Sequence, residues 1–394
     1  MSREACGPAF AKGEAARLKL PPDQAAYAAP ARSTSKAGDG AGGPAGGGGG
    51  AAAAEEEGGL SGMLKRMFSG VTGSVKSHDM DHKLRVADFD LLKVVGKGAF
   101  GKVMLVRKKT GVDKGGIFAM KVLKKSMIIA KGQVEHTNSE RSILREVRHP
   151  YIVCLRYAFQ SDEKLYLITD YYSGGSLFYH LRKARGFSEN RTRFYGAQLL
   201  LALAHLHENK IIYRDLKLEN VLMDHEGHIA LTDFGLSKEG VDDVFEMQLS
   251  TFCGTAEYIA PELLKGQKYG AAVDWWSFGV LLYEMMGFKT PFFDKNRKLM
   301  FYNIINNEPQ WQPHFSSTAT SVLKGLLVKA PQRRLGSGPD GNGEIKGHPF
   351  FGPIDWDKLR ARELAPPFRP DVKNILDPKF VPRTYVTRAH PHAI

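Results

Sequence analysis

The sequence predicts an α+β protein of two unequal lobes, the first rich in β-strand and the second helical. Two observations carry that reading. From Phe89 onward, short apolar runs with β-type patterning and glycine turns come first, and beyond Gly175 long helical patterns take over. The chain has 394 residues, of which 43% are hydrophobic and 25% charged. That is the composition of a soluble globular protein, with length for one two-lobed domain and tails. A cleft between two lobes is a natural place for a ligand.

Residues 1–85 form a separate region. The stretch AGDGAGGPAGGGGGAAAAEEEGG at 37–59 is of low complexity and buries too little apolar surface to offset its chain entropy, so 1–58 is expected to be disordered. One patch interrupts it. In LSGMLKRMFSGV, residues 60–71, Leu60, Met63, Leu64, Met67, Phe68 and Val71 recur at helical spacing with Lys65 and Arg66 between them. This suits a short amphipathic helix for a membrane surface or a partner groove, or a helix docking on its own domain or only transiently formed, because Gly62, Gly70 and Gly73 weaken it.

The folded part is read element by element. FDLLKVVGKG and KVMLVRKK are two strands across a glycine turn, and GIFAMKVL is a third. VEHTNSERSILREV (134–147) is a helix and LYLITD (165–170) a buried strand. RTRFYGAQLLLALAHLHENK and AAVDWWSFGVLLYEMMG are long helices of the second lobe.

Composition narrows the function. Three cysteines, Cys6, Cys154 and Cys253, are too few and too scattered for a disulfide framework or a zinc site, which fits a reducing cytosol or nucleus. No run approaches the ~20 apolar residues of a membrane span. The N-terminus lacks a signal peptide's apolar core, and Ser2 gives no myristoylation signal. The formal charge of +13 favours anionic partners. No RNP-type aromatic motif or zinc-finger spacing appears, so nucleic acid is not the expected one.

The chemistry lies in four stretches. Gly96-Lys-Gly-Ala-Phe-Gly-Lys-Val103 matches G-x-G-x-x-G-x-V. A dinucleotide fingerprint would open a helix after its last glycine, whereas here a strand follows. The glycines therefore belong to a strand–turn–strand flap whose N–H groups can approach phosphate. A plain hairpin would not require all three. Lys121 stands inside an apolar strand and needs anionic partners, of which phosphate is one and Glu140 on the next helix another. A lysine snorkelling at a strand end is the ordinary alternative. In IIYRDLKLENVLM (211–223), charged residues interrupt an apolar run, either as a polar turn or as a catalytic loop. Asn220 there and Asp233 of TDFG are oxygen ligands suited to magnesium shared with phosphates. Asp215 is then free to deprotonate a hydroxyl and Lys217 to neutralise transferring charge.

Glycine flap, strand lysine, helix glutamate, YRDLKLEN, DFG and Ala260-Pro-Glu262, in this order, resemble the signature set of a protein kinase, a pattern already described for that family. The resemblance covers about residues 89–380. Lys217 two residues after Asp215 resembles the Ser/Thr kinases. Tyr213, Thr251-Phe-Cys-Gly-Thr255, Val273-Asp-Trp-Trp276, His348-Pro-Phe-Phe351 and Pro366-Pro-Phe-Arg-Pro370 resemble the AGC group. GLSKE, EIKGHPFF, IDWDKL, APPFRP and LDPKF look most similar to protein kinase B and the serum- and glucocorticoid-regulated kinases. The resemblance implies the two-lobed protein-kinase fold over 89–351, with a β-rich N-lobe at 89–170, an α-helical C-lobe at 171–351 and an AGC-type C-terminal tail at 352–394.

It also implies roles. Asp215 would be the base and Lys217 its electrostatic partner, while Asn220 and Asp233 would hold Mg2+. ATP would lie against Val95, Gly96, Lys97, Gly98, Ala99, Phe100, Gly101, Lys102 and Val103. Lys121 would contact its phosphates, Glu140 would orient Lys121, and Asp170 and Tyr172 would form the adenine hinge. Asp274 would brace the catalytic loop and Glu262 would pair with Arg334. Thr251 would be the activating phosphosite, gripped by Arg214, Lys238 and His136, with Arg214 unpaired until the phosphate arrives. Glu219 and Glu284 would hold upstream arginines of a basophilic substrate. An upstream kinase is the implied activator, and a cytoplasmic location, with nuclear or peripheral membrane placement as variants, is expected.

The sequence departs from the family pattern in places. Thr169 replaces a bulkier gatekeeper, Ser176 stands where a substrate-binding glutamate is common, and Leu376 replaces a tail phenylalanine. The tail VPRTYVTRAHPHAI lacks the Phe-x-x-Phe motif that docks on the small lobe, so Glu140 is expected to engage Lys121 less firmly. Either residues 60–71 or a partner would then fill that groove. A pseudokinase scaffold is the competing class, opposed by the presence of Lys121, Asp215, Asn220 and Asp233.

Overall fold

The computed structural model of the chain describes residues 73–74, 84–98, 101–237, 256–377, 379–380 and 387–388. The amphipathic patch 60–71 and Ala99, Phe100, Lys238 and Thr251 lie outside them.

The first lobe is an antiparallel sheet. Its strands are β1 (Gly73–Ser74), β2 (Phe89–Lys97), β3 (Gly101–Lys108), β4 (Ile117–Lys124), β5 (Leu155–Gln160), β6 (Lys164–Asp170) and, late in the chain, β10 (Thr387–Arg388). Their spatial order is β1-β5-β6-β4-β3-β2-β10. Period-two alternation decides which face each side chain takes. Phe118, Met120 and Val122 of β4 enter a small core with Met104, Val106, Tyr157, Tyr166 and Ile168. Leu123 turns the other way, toward Ile143 and Leu144 of the helix that follows, α2. That helix spans Val134–Glu146, close to the expected 134–147, and is preceded by a short α1 (Lys125–Ala130) that the apolar pattern did not indicate.

The second lobe is helical. α3 (Leu177–Ala184) and α4 (Glu189–Glu208) open on serine N-caps, with Ser176 Oγ accepting from Tyr179 N and Ser188 Oγ from Arg191 N. α5 (Pro261–Leu264) begins on a proline at its first position. α6 (Ala272–Gly287) is apolar nearly all round and, with α4, forms the buried centre of the lobe. α7 (Arg297–Asn306), α8 (Ser317–Leu326), α9 (Asn342–Lys346) and α10 (Trp356–Arg360) complete it. A small sheet of β7 (Gly175–Ser176), β8 (Val221–Met223) and β9 (Ile229–Leu231) lies at its top. The fold is the two-lobed α+β arrangement that the sequence predicts.

Two features lock the lobe. Arg334 and Glu262, both almost wholly buried, pair through two parallel bonds of 2.7 and 2.9 Å. The tail packs over β7, α3 and the turn before β9, with Phe380 against Tyr179 and Phe368 against His180. Gly227 makes that possible. Its φ is +101°, and a Cβ there would stand 2.0 Å from the Phe368 carbonyl oxygen. Among the described residues no helix is long and apolar enough to cross a membrane.

Candidate active site

The glycine hairpin comes first. β2 and β3 pair from Phe89 opposite Lys108 to Lys97 opposite Lys102, which puts Val95, Gly96, Gly98, Gly101 and Val103 on one flap. At Gly101 the backbone passes so near β4 that a Cβ would lie 1.8 Å from Val122 O. At Gly98 a Cβ would meet nothing within 4 Å, so that side of the flap is open to an approaching ligand.

Lys121 sits between Met120 and Val122. Since those two enter the small core, the ammonium must leave by the opposite face, where α2 packs. There Nζ lies 2.6 Å from Glu140 Oε1 and 3.4 Å from Asp233 Oδ1. Burial alone would lower the ammonium's pKa, but the Glu140 and Asp233 carboxylates outweigh it and raise it. The same ammonium holds the Asp233 carboxyl below its ordinary value. The expectation that Glu140 engages Lys121 loosely is therefore not met. The pair is closed, because α2 is anchored by Ile143 and Leu144 in the core.

In the loop 211–223 the apolar flanks Ile211, Ile212, Leu216, Leu218 and Val221 are buried. They wall a set of polar groups that all have partners. Asp274 on α6 accepts from the backbone N–H groups of Tyr213 (2.9 Å) and Arg214 (2.8 Å), and from His207 Nε2 (2.8 Å). Tyr213 donates its hydroxyl to Thr232 O and stacks edge-on with the buried Phe234. Lys217 Nζ reaches both oxygens of Asp215 at 2.6 and 2.8 Å, and Asn220 Nδ2 donates to one of them at 2.8 Å. Burial pushes the Asp215 carboxyl up, the ammonium and amide pull it down, and the balance lies above the ordinary aspartate value. Arg214 does not wait unpaired. Its guanidinium donates to Leu236 O and to the Tyr269 hydroxyl, neutral acceptors that its arm reaches from a left-handed backbone at φ +65°.

The remaining candidates fall around this centre. His136 contacts Gln133 Oε1 through Nδ1 at 2.7 Å. Asp170 ends β6 in a two-bond pair with Arg156, and Tyr172 follows with its phenol pKa raised by burial. Thr169, half-buried on β6, faces Ala119 and Leu155 on the flanking strands. Glu219 is exposed, while Glu284 is partly enclosed and accepts from the Tyr258 hydroxyl. Burial lifts Glu284 to about 7, and Glu219 and Glu257 add to that as like charges. Glu257 was missed in the sequence because it belongs to no motif and is brought there only by the fold. Ser176 has a local use as the α3 cap, which explains a serine at that position.

Lys121, Glu140, His136, Asp215, Lys217 and Asp233 line one cavity of about 540 Å³ beneath Gly98 and Gly101, while Asp170 and Tyr172 lie outside it. The donor set suits magnesium held jointly with phosphate. Among the described residues no cluster of three His, Cys, Asp or Glu side chains forms a cage. Asp233 is held ionised, and Asn220 spends its NH2 on Asp215, leaving its carbonyl oxygen as the ligating atom. One carboxylate and one carbonyl with substrate phosphates are ordinary magnesium ligands.

Residues 89–351 match the family described as protein kinase domain. The chain is 49% identical over 315 residues to a RAC family serine/threonine-protein kinase homolog of Dictyostelium discoideum, covering 80% of this chain and 69% of that one. It is 46% identical over 298 residues to RAC-beta serine/threonine-protein kinase B of Xenopus laevis, covering 76% of this chain and 60% of the relative. It is 46% identical over 298 residues to the Homo sapiens RAC-beta serine/threonine-protein kinase, covering 76% and 61%. The chain thus spans about three fifths of the RAC-beta relatives.

Proposed function

This chain belongs to the protein kinase family, and from that premise we propose that it is an ATP- and Mg2+-dependent serine/threonine kinase acting on proteins with basic residues upstream of the target hydroxyl. The observation that carries this is the convergence of Lys121, Asp215, Lys217 and Asp233 on one cavity under the glycine flap. Asp215 orients the acceptor hydroxyl and takes its proton on a carboxylate oxygen, whose basicity burial has increased. Lys217, already at that carboxylate, balances negative charge spreading over the transferred group. Lys121 holds phosphate oxygens, positioned by Glu140. Asn220 and Asp233 would hold the magnesium, and Mg-ATP, when bound, would supply the phosphoryl group. Asp170 and Tyr172 serve the adenine, and Glu219 and Glu284 the substrate's arginines. Phosphorylation of Thr251 by a separate kinase, gripped by Arg214, Lys238 and His136, switches the enzyme on. The sparse cysteines support a cytoplasmic setting.

The test is phosphotransfer from ATP to an arginine-rich peptide with and without Mg2+. Asp215→Asn should lower the rate by about 10²–10⁴-fold with the fold intact by circular dichroism, and Lys121→Met should do likewise. Near-wild-type turnover by folded Asp215→Asn protein defeats the mechanism.

A further inference from the structure

β5 and β6 do not pair residue for residue. Leu155 stands opposite Thr169 and Tyr157 opposite Ile168, so Arg156 is one residue more than β6 can match. An extra residue of this kind is a β-bulge, which bends its strand and re-aims a side chain. The packing records the change of face. Residues two apart on a regular strand share a face, yet Leu155 enters the core around Ile143 while Tyr157 enters the small core with Met104 and Val106. The bulge is also held from outside β5. The Tyr157 hydroxyl donates to Oδ2 of Asp113, in the turn between β3 and β4, at 2.7 Å.

Arg156, released from the alternation of the ladder, reaches Asp170, the residue on which β6 ends. Nε lies 2.6 Å from Oδ1 and Nη2 3.1 Å from Oδ2, a fork that fixes the carboxylate in position and in orientation. The main chain of Asp170 is tied to the start of the same strand, its N–H donating to Cys154 O at 3.2 Å. Backbone and side chain together therefore hold Asp170 to β5, and from there the chain leaves the sheet through Tyr171 and Tyr172. Neither Arg156 nor Asp170 lines the cavity under the glycine flap, so the pair acts through the backbone it holds and not by touching phosphate.

We propose that Arg156 is a positioning residue of the nucleotide site. By fixing Asp170 it sets how the stretch from Asp170 to Tyr172 is presented to the adenine, and so it governs affinity for Mg-ATP and not the transfer step. This rests on the reading above that Asp170 and Tyr172 serve the adenine. The two side chains are 33% and 29% exposed, so the effect is that of a partly exposed ion pair and not of a buried one.

The experiment is calorimetry of Mg-ATP binding to the full chain, beside phosphotransfer kinetics. Arg156→Gln should raise Kd and KM for ATP about fivefold, the size a partly exposed pair allows, with kcat and KM for peptide unchanged. Inorganic tripolyphosphate with Mg2+, which lacks the base, should bind this variant and the wild type equally. Arg156→Lys keeps the charge without the fork and should recover part of the loss. Asp170→Asn should weaken Mg-ATP to the same degree, and adding Arg156→Gln to it should cost nothing more, because the same interaction is removed twice. Unchanged Kd for Mg-ATP in folded Arg156→Gln protein overturns the proposal. So do additive losses in the double variant, and so does an equal loss of tripolyphosphate or peptide binding, which would make Arg156 a general support of the lobe. A wild-type chain that binds Mg-ATP in this Arg156-dependent way but transfers no phosphate would overturn the kinase reading and leave the positioning role standing.

Discussion

Asp274 Oδ1 accepts the backbone N–H of Arg214 at 2.8 Å, and Arg214 sits at φ +65°. A left-handed backbone at a non-glycine residue costs ~1–2 kcal/mol, so something must hold it. Asp274 holds that N–H and its neighbour on Tyr213 from a side chain with no exposed surface. Asp274→Ala leaves the buried Tyr213 N–H unpaired, at about 1–3 kcal/mol, and frees the partly buried N–H of Arg214. We expect a melting temperature lower by several degrees and a kcat reduced more than KM, since Asp215 is the next residue. A variant with normal stability and kcat would show that the loop needs no brace.

In the switch proposed above, phosphate on Thr251 brings about −1.5 to −2 charges to Arg214. Arg214 already has two neutral acceptors, so the phosphate must displace the Leu236 carbonyl or share the guanidinium with it. We expect low basal activity and strong activation on phosphorylation. Equal rates for Thr251→Ala and the phosphorylated enzyme would exclude this switch.

Glu284 gives a pH signature. Its folded pKa of about 7, against an ordinary 4.5, means that the folded state binds more protons between those values. Stability therefore falls as pH rises through that window, and the deficit is constant above it. Glu284→Gln should remove the fall, and melting curves from pH 5 to 8 will read it. Peptide binding runs the opposite way. As pH passes 7 the carboxylate forms, and KM for an arginine-bearing peptide should drop several-fold, as a gained charge-assisted bond requires. A flat KM profile in the wild type would separate Glu284 from the substrate.

The Glu262–Arg334 pair is buried on both sides. Arg334→Met strands a carboxylate in the core, at a cost of about 3–5 kcal/mol, whereas Glu262→Leu with Arg334→Met removes both charges. Denaturant midpoints should show the double variant recovering much of the single variant's loss. If the double variant is worse than the single, packing and not charge explains the pair.

Much of this was legible in the sequence. The strands on either side of Gly96–Gly101, the helix bearing Glu140 and the loop at Asp215 carry local patterns strong enough to read. Arg214 was misjudged, because its acceptors, Leu236 and Tyr269, lie 22 and 55 residues away. The closed Lys121–Glu140 pair was underestimated for the same reason, since its rigidity comes from how α2 packs. Ser176 stands where a substrate-binding glutamate is common, and its further use as the α3 cap shows only in the fold. β1 and β10 have two residues each, too few for any period to reveal.

Those two short strands have one more consequence. A row of open N–H and C=O groups on an outer strand is a template on which other molecules can add, and folded proteins guard against it. Here β1 caps part of β5 and β10 caps part of β2, so both borders of the small-lobe sheet are blunted by polypeptide from outside residues 89–351. A fragment trimmed to those residues would keep every residue of the proposed active site and lose both guards. It would be the form of this protein most prone to self-association and precipitation.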